Sequence, residues 1–180
     1  MKRFTGKWRS TAQTALLLLL LGAVAYAVHI HMDATPTPPK IGETAPNVEL
    51  TLLDGTETAL ADYRGQGIVL NFWASWCTPC VNELPILNEA YKLSDGTVVV
   101  AVNVGEDEET VRKFVQRYDL AFPILLDRDE SWMRRYGVSQ LPKSFFVDPD
   151  GTIVDVYSGE MSEIADVLAT MRRLASSVNR

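Results

Sequence analysis

Ile68-Val69-Leu70-Asn71-Phe72-Trp73-Ala74-Ser75-Trp76-Cys77-Thr78-Pro79-Cys80 is the segment around which the rest of the chain arranges itself. Its first seven residues are nearly all apolar, as a strand covered on both faces would be. Val81 to Leu93 then places Leu84, Leu87 and Tyr91 at helical spacing. A buried strand thus runs into a helix, and both cysteines of the 180-residue chain stand at the junction. A disulfide within the chain must therefore be Cys77–Cys80, and a loop that short removes little denatured-state entropy. A structural staple is a poor explanation for the pair. At the first turn of a helix, unpaired N–H groups and the positive dipole end favour a thiolate at Cys77. The spacing supplies a nucleophile, Cys77, and a resolving partner, Cys80, as catalytic residues for thiol–disulfide exchange.

Downstream, Thr97 to Val104 repeats the buried-strand signature and is followed by a helix pattern at Val111, Phe114, Val115 and Tyr118. Strand–helix–strand–helix alternation argues for a parallel sheet with crossover helices. Phe122 to Leu126 adds a short strand and Glu130 to Tyr136 a short helix. Ser144 to Val147 and Ile153 to Tyr157 are joined by Asp148-Pro149-Asp150-Gly151, whose Pro and Gly placement suits a type I turn. That hairpin makes the sheet mixed. Ser162 is positioned to cap a last helix with Ile164, Val167, Leu168, Met171 and Leu174 as its buried stripe. Upstream, Val48–Leu53 and Glu57–Leu60 around Asp54-Gly55 predict a separate hairpin. The acidic run Glu106-Asp107-Glu108-Glu109 reads as a solvated, dipole-favoured first turn rather than a metal site.

The N-terminal end is different in kind. Lys2, Arg3, Lys7 and Arg9 lie in a basic segment, 1–11, ahead of an apolar run from Ala12 to Ile30 that only Gln13, Thr14 and His29 interrupt. As a helix that run would extend about 28 Å, close to the hydrocarbon thickness of a bilayer. The expectation is a transmembrane signal-anchor over 12–31. A cleaved signal peptide is the alternative, with Leu16–Val24 as its apolar region and Ala25-Tyr26-Ala27 as a small-x-small site. With no Asp or Glu before Asp33, the basic flank stays in the cytoplasm and the remainder lies on the outer or periplasmic face. His29 and His31 lack the further ligands a metal site needs. A Pro-rich linker, 32–40, then leads to one domain, 41–180, large enough to bury its own core. Beyond the span 13 basic residues face 23 acidic ones, a balance of −10 that disfavours nucleic acid and anionic lipid as partners.

The order of elements, with Trp76-Cys77-Thr78-Pro79-Cys80 between strand and helix and Leu141-Pro142 ahead of a hairpin, resembles the thioredoxin fold: a three-layer α/β architecture on a mixed sheet, here extended by an N-terminal hairpin. Ile41-Gly42-x-x-Ala45-Pro46, Asn71 to Cys80, Glu83-Leu84-Pro85 and Leu141 to Asp148 narrow this to a resemblance to the membrane-anchored ResA/TlpA thiol–disulfide oxidoreductases. The resemblance implies a reductase of protein disulfides, with the haem-site cysteines of apocytochrome c as substrate during cytochrome c maturation. It also implies a membrane thiol-electron donor of the CcdA/DsbD type, and no cofactor or metal. It implies that Pro142 is cis and faces the CxxC, and that the Leu141 backbone pairs with an extended substrate.

Glu83 shares the face of Cys80 on a helix and is placed to manage its proton, although a solvated carboxylate near a helix N-terminus fits the spacing equally well. The resemblance favours the functional role, since ordinary thioredoxins carry a buried Asp where this chain has Asn71. Trp76 is a candidate for the substrate platform, whereas Phe72 and Trp73 belong to the core. Lys143 replaces a small hydroxyl residue and is expected to be solvated. Pro85 is expected to kink the active-site helix. Three other functions compete. A disulfide oxidase or general envelope thiol reductase shares the chemistry, with Thr78-Pro79 resembling the reducing members. A non-catalytic copper-binding carrier would use Cys77 and Cys80 as soft ligands, with no Met or His close by to help. A peroxidase is disfavoured because Ala74 stands where a Thr is needed three residues before Cys77.

Overall fold

The structure, a computed structural model, describes residues 6–33, 37–47 and 49–176, and within the first helix the side chains of 13–27. The chain divides into two compact units, Met1–Pro36 and Thr37–Arg180. The first contains helix α1, Gly6–Asp33. Its leucines Leu16 to Leu21 are each more than half exposed. Among the described residues no helix is long and apolar enough to cross a membrane. The transmembrane helix expected over 12–31 is therefore not shown by the described residues. The ends of the expected span lie outside the described side chains, as do Lys2, Arg3, Lys7, Arg9, His29, His31, the linker residues 34–36 and Val48.

The second unit is built on a five-stranded mixed sheet with strand order β5-β4-β3-β6-β7. Strands β3 (Gly67–Trp73), β4 (Thr97–Val104) and β5 (Ile124–Asp127) run parallel, while β6 (Lys143–Val147) pairs antiparallel with β3 and β7 (Ile153–Ser158) antiparallel with β6. Every residue of β3 and β4 is buried, which explains why both read as nearly continuous apolar runs, broken only by polar residues such as Asn71 and Asn103. Strand alternation sends Val69 and Trp73 to one face and Ile68, Leu70 and Phe72 to the other. Helices α2 (Thr78–Lys92), α3 (Glu108–Tyr118) and α5 (Ile164–Ser176) pack their buried residues on the Trp73 face. The short α4 (Ser131–Arg135), the 3-10 turn Leu60–Tyr63 and Ala45 cover the Phe72 face. This is the three-layer thioredoxin-like fold. The expected hairpin forms as a separate pair, β1 (Glu49–Thr51) and β2 (Glu57–Ala59). It shields the open edge of β5 through the Leu52–Leu125 bridge and a Leu53 N–H to Ile124 C=O bond of 2.9 Å.

Two expectations are corrected. α5 begins at Ile164, beyond Ser162, and its first turn closes on the Glu163 carbonyl through the Val167 N–H at 3.2 Å, so Ser162 is not the cap. Lys143 is half-buried rather than solvated, with Nζ donating to the Gly137 carbonyl at 3.4 Å and lying 5.3 Å from the Phe145 ring centroid. Its apolar stem gains cover while the ammonium finds a carbonyl. Pro85 lies inside α2 without ending it.

Candidate active site

Register brings three segments to one end of the sheet. Phe72 pairs with Lys143, which sets Pro142 beside the end of β3, and Trp73 pairs with Asn103 near the end of β4. The 74–77 loop, the β4–α3 loop and the Leu141–Pro142 bond therefore meet where the strands give way to helices. The Leu141–Pro142 peptide is cis. Leu141 packs against the core cluster that contains Cys77 and Cys80, and the Pro142 carbonyl accepts the Gly159 N–H at 3.0 Å.

Cys77 and Cys80 are joined by a disulfide of 2.09 Å. Cys77 is the N-cap of α2, in extended backbone, and its sulfur accepts the Cys80 N–H at 3.3 Å. Pro79 in the first turn costs nothing there, since that N–H would have no helical partner. Cys77 retains 6% of its surface and Cys80 none, so Cys77 is the more accessible of the two sulfurs. Trp76, immediately before it, is 71% exposed. It stands free at the rim of the site.

Glu83 is fully buried, three residues along α2 from Cys80. Its Oε1 lies 3.4 Å from Asn71 Nδ2, which also donates to Ser144 Oγ at 2.9 Å. Glu83 Oε2 and Asn71 Oδ1 have no hydrogen-bond partner among the described residues. A carboxylate so poorly solvated resists ionising. Burial, reinforced by the charge of Glu160 and partly opposed by the Met161 backbone N–H, pushes the Glu83 carboxyl up to about 8. In the disulfide form it therefore holds a proton at neutral pH. The solvated reading of Glu83 does not fit its burial. Among the described residues no group of three His, Cys, Asp or Glu is arranged to hold a metal ion.

Three neighbours were not legible in the sequence. Ser144 meets Asn71 only through antiparallel register. Glu160, half-buried after β7, reaches the site through the hairpin return and accepts from Asn82 Nδ2 at 3.4 Å. Glu106 leaves the acidic run to bind Ser75, whose N–H donates to it at 2.7 Å. Each contact joins residues more than thirty apart or crosses a strand pair that local periodicity does not specify, save that the Asp/Glu-rich composition at 106–109 marked the place.

A redox-active pair at the cap of a helix, a cis-proline segment at the same sheet end and a buried acid define a thiol–disulfide oxidoreductase of thioredoxin-like fold. Residues 41–156 match the AhpC/TSA family model. The thiol-disulfide oxidoreductase ResA of Geobacillus thermodenitrificans is 41% identical over 157 residues, spanning 86% of this chain and 90% of that protein. ResA of Bacillus subtilis is 38% identical over 159 residues, 87% of this chain and 89% of the other. Among solved structures, StoA from Bacillus subtilis superposes with a TM-score of 0.62 at 28% identity, covering 72% of this chain and 98% of that one. The chain belongs to the AhpC/TSA family, and its similarity to ResA places it among that family's thiol–disulfide oxidoreductases.

Proposed function

We propose that this oxidoreductase works as a reductant of protein disulfides on the outer face of a membrane, with the haem-site cysteine pair of apocytochrome c as its substrate. The Cys77 thiolate attacks one substrate sulfur, forming a Cys77–substrate mixed disulfide and releasing the other sulfur as a thiolate. Ionised Glu83 takes the proton of Cys80. The Cys80 thiolate then attacks Cys77 Sγ, closing Cys77–Cys80 and expelling the second substrate thiolate, so two electrons pass from the dithiol to the substrate. Glu83 is left protonated. When a donor dithiol of the CcdA/DsbD type reopens the disulfide, that proton returns to Cys80 as it leaves. The observation that carries this reading is the fully buried Glu83 three residues along α2 from the fully buried Cys80, with its carboxyl raised to about 8.

Trp76 and the Leu141 backbone, flanking Pro142, supply the surface that receives the substrate chain. Attachment to the membrane through the N-terminal helix is supported by six consecutive exposed leucines, Leu16 to Leu21, which require apolar surroundings. The basic residues ahead of them support an outward-facing domain. The test is a trap in cells. Cys80→Ala leaves Cys77 unable to resolve and is expected to accumulate a mixed disulfide containing apocytochrome c. Trapping by Cys77→Ala instead would reverse the roles of the two cysteines, and recovery of unrelated envelope proteins would replace the substrate.

A further inference from the structure

The acidic run 106–109 contains two kinds of carboxylate. Asp107 caps α3 through the Thr110 N–H at 2.9 Å, Glu108 pairs with Arg112 and Arg128 at 2.6 and 3.0 Å, and Glu109 pairs with Lys113 at 2.6 Å. These three behave as a helix start should. Glu106 does not join them. It turns back across the end of the sheet, half-buried, and gathers three donors. Its Oε2 accepts the Ser75 N–H and Asn103 Nδ2, both at 2.7 Å, and its Oε1 accepts the Ser75 hydroxyl at 2.5 Å.

Resting on the thiol-exchange reading above, we propose that Glu106 is a positioning residue for that reaction: it grips Ser75 at both N–H and hydroxyl, and so fixes the loop that presents Trp76 and Cys77 to an incoming disulfide. Ser75 stands two residues before Cys77, and the loop is otherwise closed by the Cys77 N–H to Ala74 carbonyl bond at 3.2 Å. In the oxidised protein the Cys77–Cys80 bond ties this loop to α2 covalently. Reduction cuts that tie. The grip of Glu106 on Ser75 then remains, together with the Val81 N–H to Cys77 carbonyl bond at 3.1 Å, to hold the loop in the redox state in which the Cys77 sulfur must attack in line with a substrate S–S bond. Asn103 serves as the anchor on the other side. It sits in β4 opposite Trp73, and with its Oδ1 lacking a partner among the described residues, its side chain is oriented through Glu106. Only an anionic carboxylate, with two acceptor oxygens, satisfies all three donors; a Gln offers one oxygen and adds an N–H₂ that faces donors.

The residue acts through Ser75 and not on sulfur, which sets the form of the test. The second-order rate constant for reduced protein attacking a peptide disulfide is measured for wild type, Glu106→Gln, Ser75→Ala, Ser75→Thr and the Glu106→Gln/Ser75→Ala double variant, with Tm recorded for each. Glu106→Gln is expected to slow exchange about tenfold, a fraction of what an ångström of misplacement can cost. Ser75→Ala is expected to slow it by a smaller factor, and Ser75→Thr, which keeps the hydroxyl, recovers most of that loss. The double variant is no slower than Glu106→Gln, because both changes break one contact. Wild-type rates in Glu106→Gln, or losses that multiply in the double variant, would overturn the proposal, whatever happens to Tm. Should Glu106→Gln not fold, the Ser75→Ala and Ser75→Thr pair decides alone, equal rates in the two counting against it. Failure of the underlying reading looks different: a wild-type protein without exchange, or a Cys77→Ala variant that retains it.

Discussion

Replacing Glu83 by Gln should remove the pH dependence of stability near neutrality, and the structure sets its size. The carboxyl rises from 4.5 to about 8 in the folded, disulfide-bonded protein, chiefly through burial and secondly through the Glu160 charge. Between those two values the folded state holds a proton that the unfolded state has released. Stability therefore falls as pH rises from about 4.5, and stops falling once Glu83 ionises in both states above about 8. At about 1.4 kcal/mol per proton and pH unit, the part lost between pH 6 and 9 is roughly 2 to 3 kcal/mol. That is a large share of the 5–15 kcal/mol that typically separates native from unfolded chains. Gln keeps the volume and does not titrate, so any fixed cost of its buried amide displaces the curve without tilting it. Asp127, whose carboxyl burial also raises, is present in both proteins and cancels in the difference. Urea unfolding of the oxidised protein at pH 6, 7, 8 and 9 reads the slope directly. The wild type should lose stability across the series and Glu83→Gln should not. Parallel curves would refute the claim that Glu83 is held protonated by its surroundings.

Two further outcomes follow from packing and exposure. Gly67→Ala would put a Cβ 2.5 Å from Leu174 Cβ and 2.9 Å from Thr97 Oγ1 at the start of β3, and is expected to cost about 1–3 kcal/mol in chemical denaturation without changing exchange by folded protein; an unchanged midpoint would show that α5 yields freely there. Trp76→Ala removes a ring with 71% of its surface exposed, so stability should move by less than about 0.5 kcal/mol while KM for a peptide disulfide rises and the rate with a small aromatic disulfide holds. Equal losses on both substrates would place Trp76 in the support of Cys77 and not on the substrate surface.

The sheet could be read from the sequence wherever burial was total. Ile68–Ala74 and Thr97–Val104 predicted β3 and β4 to within a residue, because strands covered on both faces leave nearly continuous apolar runs. Edges were harder. β5 begins at Ile124, two residues later than expected, since Phe122 is buried by packing against Tyr91 and not by sheet pairing. The last helix starts later than its Ser162 signal suggested, a case of tertiary placement overriding a local cap preference. In the candidate site, the Cys77–Cys80 pairing followed from the spacing, the choice of Glu83 over a solvated carboxylate came only through resemblance, and so did the cis Leu141–Pro142 peptide. What surrounds Glu83 was not legible. Asn71 meets it from β3, itself bonded to Ser144 of β6, and the Glu160 charge that adds to burial in raising its carboxyl comes from the segment after β7, so its surroundings come from register and from a hairpin return. Local sequence shows which residues carry chemistry, whereas three-dimensional burial decides in which protonation state they wait.

The direction of electron flow is the central claim, and the reduction potential of the Cys77–Cys80 couple tests it most directly. Equilibration of the protein against glutathione or dithiothreitol buffers, read by alkylation of the free thiols, should give a midpoint below about −220 mV, in the range of reducing thioredoxin-like proteins. A midpoint near −120 mV would mark a disulfide donor and contradict the account.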